Sequence, residues 1–348
     1  MFTRRMLPVS ILLTLVLTLM VTASVSAQEA EDLGGQAVFR DADAASDSLV
    51  MSFSGVPALP EGSSYEGWLI DGAGDKISVG ILFRSGTSDI EQTYLSPTGE
   101  NLLARFSQFA ITQEPQGSVL YADAIPAGVF PHVGHLVVAW APNPDAKGIA
   151  VGFLEQMGVA ARHANLAADS SSLADKQKHA QHVINIIEGS GGANFDAGPG
   201  NPGDGLGVLA YGADLIKHAQ FSKDAAPEDE SVGDGADDAI AAAQTAIVFA
   251  ERARDAAAVV VDSGTSEFRL GIELANMVSL TQNGVSDAET AYVASQDVGL
   301  FEARADVEVA PPVVGDPLVP TVAMAALLLG LLLTGAGGLL VFRRRQTA

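Results

Sequence analysis

Over residues 30–143 apolar positions fall in short runs, several alternating with polar ones, between clusters of Gly, Pro, Asp and Ser. The runs 36–40, 49–53, 65–70, 77–83, 106–111 and 135–140 read as strands, because a period of two places one face against a core. Asp71-Gly72 and Asp75, between two such runs, read as a hairpin turn. Glu114-Pro115-Gln116-Gly117 reads as a turn that ends a strand, and Trp68 as a core aromatic. Strands at this spacing predict a β-sandwich.

Past 142–147 the texture changes: alanine becomes abundant and apolar residues recur at helical spacing. Phe153/Leu154, Met157, Ala160/Ala161 and Ala164 form one stripe. A second helix is expected from Ser172, carrying Leu173, Ala180, Val183/Ile184 and Ile187 and stopping at Gly189. A Gly/Asn/Pro loop follows over 189–205, then helices at about 207–221, 236–262, 266–282 and 286–303. The acidic run 228–238 suits the positive N-terminal end of the long helix. Such helices with short links predict a bundle.

The two ends are apolar in a different way. Arg4-Arg5, an uncharged stretch over 7–21 and Val25-Ser26-Ala27 have the layout of a cleaved signal peptide, 1–27. Residues 317–342 carry no charge and precede Arg343-Arg344-Arg345, which reads as a transmembrane helix with a cytoplasmic tail at 343–348. The expected fold class is therefore α+β in two domains, a β-sandwich (28–143) followed by an α-helical bundle (148–303), a stalk (304–316) and a C-terminal transmembrane helix. The expected localisation is the cell membrane, single-pass and type I, with the bulk of the chain extracytoplasmic and the membrane as a partner.

Composition narrows the chemistry. With 19 Lys+Arg against 42 Asp+Glu the net charge is −23, which excludes a general nucleic-acid binder because phosphate needs a basic face. The absence of cysteine removes disulfides, thiolate zinc sites, iron–sulfur clusters and cysteine catalysis.

Several β-region motifs carry a family likeness: residues 49–60 before Tyr65-Glu66-Gly67-Trp68-Leu69-Ile70, then Val79-Gly80-Ile81-Leu82, then Phe109-Ala110-Ile111-Thr112-Gln113-Glu114-Pro115-Gln116-Gly117-Ser118. On these the region resembles the extracytoplasmic C-terminal domain of anti-sigma-K factors. The resemblance implies an outside sensing or ligand-binding module with a protein or small-molecule ligand. Members of that family carry a cytoplasmic sigma-binding domain ahead of a single span. Here a signal peptide is expected in that place, so no grip on a sigma factor is expected of this chain.

Four histidines of the helical half, His163, His179, His182 and His218, are the candidate metal ligands. His179 and His182, three apart, share a helix face, and bundles build metal or haem sites from inward side chains on facing helices. Asp175 or Tyr211 would support the ligands; the alternative is boundary histidines beside acids such as Asp175. Val259-Val260-Val261-Asp262-Ser263-Gly264-Thr265-Ser266 copies an aspartic-protease turn, but that chemistry needs a second carboxylate copy. A helix end at Gly264 followed by a Thr265/Ser266 cap explains it better. Asp196, Asn201 and Asp204 could hold calcium, though no EF-hand register fits and a turn accounts for them. The leading expectation is a non-enzymatic binding or sensing protein without a cofactor. A bundle holding a divalent metal or haem is the alternative.

Overall fold

In a computed structural model, which describes residues 32–305, five strands follow the expected apolar runs: β1 (Gly34–Arg40), β2 (Ser48–Ser54), β3 (Ser64–Asp71), β4 (Lys76–Leu82) and β6 (Phe106–Glu114); two more, β5 (Ile90–Leu95) and β7 (Ser118–Ala124), lie outside those runs. Alternation decides what faces inward. In β3, Tyr65, Gly67 and Leu69 are buried while Glu66, Trp68 and Ile70 are only partly covered. Trp68 therefore lies on the outer face, contrary to expectation, where its Nε1 donates to Thr112 Oγ1 at 3.0 Å and Lys76 sits over its ring. The turn after β3 is made by Asp71, whose Oδ1 accepts from the Ala73 and Asp75 amides.

Two short strands, β8 (Phe301–Glu302) and β9 (Arg304–Ala305), return from the far end of the helical region. They complete two antiparallel sheets, β5-β2-β1-β8 and β4-β3-β6-β7-β9. The stalk expected from residue 304 thus begins as sheet edge. Phe301 is fully buried between Phe39 and Phe109, and Phe53 of one sheet stacks on Phe109 of the other at 5.9 Å. Leu33 N donates to Ala303 O at 3.0 Å, so both ends of the described chain meet at the sandwich.

Residues 135–140, expected as a strand, are split: 135–137 end a helix, α1 (Phe130–Val137), with Pro at its start, and 138–140 lie beyond its end. The other helices are α2 (Ile149–Asp169), α3 (Leu173–Glu188), α4 (Val208–Ala225), α5 (Glu230–Val261) and α6 (Glu267–Asp297). The two helices expected over 266–282 and 286–303 are one. Gly284 does not break it: a Cβ there would lie 2.2 Å from Met157 Cε of α2, so glycine marks a close helix–helix approach. Along α5 the buried residues Ala236, Ala239, Ala243, Ala246, Ala250, Ala253 and Ala257 alternate three and four apart. That heptad-like seam of small side chains lets neighbouring helices pack closely.

Sheets and helices share one hydrophobic core. Their seam is also polar: the Asp41 carboxylate accepts from Tyr292 Oη at 2.9 and 3.0 Å and from Gln296 Nε2 at 2.8 Å, and Arg40 pairs with Asp297.

The α+β class with a C-terminal transmembrane helix, and with it the single-pass cell-membrane localisation, is corrected on one point. No helix among the described residues is long and apolar enough to cross a membrane. The longest, α5, has the length but carries Glu230, Asp234, Asp237, Asp238, Glu251, Arg252, Arg254 and Asp255. The segments 1–27 and 317–342, to which the signal peptide and the span were assigned, lie outside the described residues.

Candidate metal centres

Helices α2 and α3 form an antiparallel pair joined by residues 170–172. Ser172 caps α3, its Oγ accepting from the Asp175 amide at 3.1 Å, and Gly189 ends it at a φ of 73°. These boundaries set the phase of α3, placing His179 and His182 on the face turned toward His163 of α2. His163 Nδ1 lies 3.2 Å from His179 Nδ1 and 3.2 Å from His182 Nδ1.

One hydrogen bond settles the tautomer of His182. Its Nε2 lies 2.9 Å from Pro199 O, and a carbonyl only accepts, so Nε2 carries the proton and donates. In the neutral ring Nδ1 is then a bare lone pair aimed at His163. A proton on His163 Nδ1 can serve only one of its two neighbours, leaving the other contact a meeting of lone pairs. A cation in the middle resolves the conflict: zinc–nitrogen bonds of ~2.0–2.1 Å in a tetrahedron separate ligand nitrogens by ~3.3 Å.

The electrostatics favour neutral, ligating imidazoles. Burial pushes His163 down to about 4, helped by His182, His179 and Arg162. His179 is lowered by burial, His182 and Lys178 against the opposing pull of Asp175.

The Gly-rich loop 189–205 supplies the carbonyl that orients His182. Asn185, fully buried, organises it: Nδ2 donates to Asp196 O at 2.6 Å and Gly200 O at 2.9 Å, while Oδ1 accepts from Asp196 N and Gln181 Nε2, each at 3.0 Å. The calcium candidates serve turns instead. Asp196 Oδ1 accepts from Gly198 N, Asn201 Oδ1 from Gly203 N, and Asp204 from Leu206 N and Tyr211 Oη. Tyr211 thus supports the loop rather than a histidine, and the Asp175 carboxylate accepts from the capping Ser172 hydroxyl at 2.7 Å. The Asp262–Ser266 segment is the end of α5 and the cap of α6, with Ser266 Oγ accepting from Arg269 N.

His218 does not join the other three. It projects from α4 toward His132 and His135 of α1, forming a second histidine triad. Reading 135–140 as a strand hid those two partners. Their signal was the His-x2-His spacing in a helix opened by Pro131, the same spacing as His179 and His182.

No curated protein and no solved structure matches the chain. Residues 17–128 match the family model described as anti-sigma-K factor rskA, C-terminal, a match that stops just short of α1, so it is the sandwich, and none of the six histidines, that carries the anti-sigma-factor-like identity.

Proposed function

We propose that this protein binds a divalent transition-metal ion through His163, His179 and His182, on a helical layer built onto an anti-sigma-factor-like sandwich. The observation that carries the reading is the convergence of Nδ1 atoms from two helices at 3.2 Å, with the His182 tautomer set by Pro199 O. A carboxylate- or carbonyl-anchored second nitrogen is the usual support of a metal-bound imidazole. Imidazole donors without thiolate suit Zn²⁺, Cu²⁺, Co²⁺ or Ni²⁺ rather than the hard cations. A bare ion fits better than haem, because axial ligands approach a porphyrin from opposite faces, whereas these nitrogens meet at one point. The proposed role is binding and sensing, non-enzymatic, with metal occupancy as the signal presented beside the sandwich.

The test is a Co²⁺ titration of the full chain, stripped of metal, followed by visible absorption and metal analysis. Ligand-field bands of a tetrahedral nitrogen site are expected. His182→Ala should remove one equivalent of bound metal while far-ultraviolet circular dichroism stays unchanged. Wild-type protein that takes up no Co²⁺, Zn²⁺ or Cu²⁺, or a His182→Ala variant with undiminished stoichiometry, overturns the reading.

A further inference from the structure

Every histidine of this chain belongs to one of two triads, and the two are built alike. In each, a helix offers a His-x2-His pair and a neighbouring helix the third ring: α3 with α2 in the first, α1 with α4 in the second. His132 Nδ1 and His218 Nδ1 are 3.4 Å apart, close to the ~3.3 Å edge expected of tetrahedral zinc ligands. His135 completes the set, its ring centroid 5.0 Å from that of His218. His135 Nδ1 is sealed from solvent and has no hydrogen-bond partner. A buried polar atom left without a partner is uncommon in a folded protein and calls for an absent ion or water.

The surroundings differ from those of the first triad. Among the described residues no carbonyl accepts from these rings. Its wall is aromatic: the Trp140 ring lies 4.4 Å from His135 and 4.7 Å from His218, and Phe221 packs against His132 at 5.3 Å. The location differs as well. Val133 of α1 packs with Leu103 and Ile125 around Gly299, away from the rings, while Gly128 just before the helix approaches Ala225 of α4.

We propose that His132, His135 and His218 form a second, independent site for a divalent transition-metal ion, Cu²⁺ or Zn²⁺, between α1 and α4. The ion would pin α1, the first helix after the sandwich, to α4. This site does not depend on the first: each can fill or fail alone.

Trp140 gives it a private readout. The chain has two tryptophans, and Trp68→Phe leaves Trp140 as the only one. In metal-free full-length protein carrying that substitution, Cu²⁺ bound at the second triad should quench Trp140 emission, because paramagnetic copper would sit within a ring's width of it. His218→Gln is expected to weaken the quenching by at least about 100-fold, since even an outer support of a metal ligand is worth 10–100-fold. His132→Gln, at a more exposed position, should do the same if His218→Gln disturbs folding. His182→Gln should leave the quenching intact and remove a separate equivalent of metal. Quenching that survives both His218→Gln and His132→Gln, or is abolished by His182→Gln, overturns the second site. Failure of the first triad alone would appear differently, as one bound equivalent that His218→Gln removes.

Discussion

The sandwich and the helical layer solve packing in opposite ways. In the sandwich, large rings fill the space between sheets: Phe39, Phe53, Phe106, Phe109 and Phe301 are all buried. In the helical layer the long seam of α5 is alanine, and bulk is kept low where helices approach. Small side chains bring α5 close to its neighbours, while the imidazoles meet on other pairs, α2 with α3 and α1 with α4. The part with the recognisable family pattern contains no histidine, and the part with all six lies beyond the family match. Likeness and chemistry occupy different halves of one core.

The comparison breaks most visibly at Phe301. This residue comes from the distal end of the helical region and closes the sandwich through β8. Phe301→Ala removes a fully buried ring, a change that costs about 3–5 kcal/mol. Denaturant unfolding should show that loss while the folded variant binds Co²⁺ with unchanged stoichiometry. A loss below about 1 kcal/mol would mean that the return strands are not part of the sandwich core.

A smaller effect separates the two histidine triads from each other. Asn185 touches neither ion position but holds the loop whose Pro199 carbonyl orients His182. Asn185→Ala should weaken metal binding at the first triad about 10–100-fold and leave the second unaltered. Competition titration with Trp140 as the reporter of the second site distinguishes them; equal weakening of both would make Asn185 a general stabiliser only.

The sequence made some of this legible and concealed the rest for identifiable reasons. Strands β1, β2, β3, β4 and β6 announced themselves by alternation, and α3 by its Ser172 cap and Gly189 stop. The expected break between 282 and 286 is absent: α6 runs through it, and Gly284 within it admits Met157 of α2. The two-residue strands β8 and β9 have no periodicity to detect; only the core position of Phe301 reveals them. The largest oversight was chemical. Reading 135–140 as a strand put His135 in an extended element and left His132 outside it, so the pair was not seen as one helix face. In helix α1 their His-x2-His spacing puts them on one face, with His218 above them. His163, His179 and His182 lie on the two helices expected to carry them, whereas His218, grouped with them in the sequence, faces α1 from α4.

The smallest expected effect asks whether acid sensitivity belongs to the helical layer alone. Burial pushes His163 and His218 each down to about 4 from an ordinary 6.5. Between those values the unfolded chain binds protons that the folded rings refuse. The unfolded state is then favoured progressively, and metal-free protein should lose stability as pH falls from about 6.5 to about 4. Below that window both states are protonated and the loss levels off. Asp123 and Asp297 work the other way, since burial raises their carboxyls above 3.8 and acid relieves the charge they hold. They oppose the decline at its acid end. It should flatten in His163→Gln/His218→Gln and persist in Phe301→Ala, whose lesion lies in the sandwich. Thermal unfolding of the metal-free chain at intervals across that range measures it, and an unchanged slope in the double histidine variant would place the acid sensitivity elsewhere.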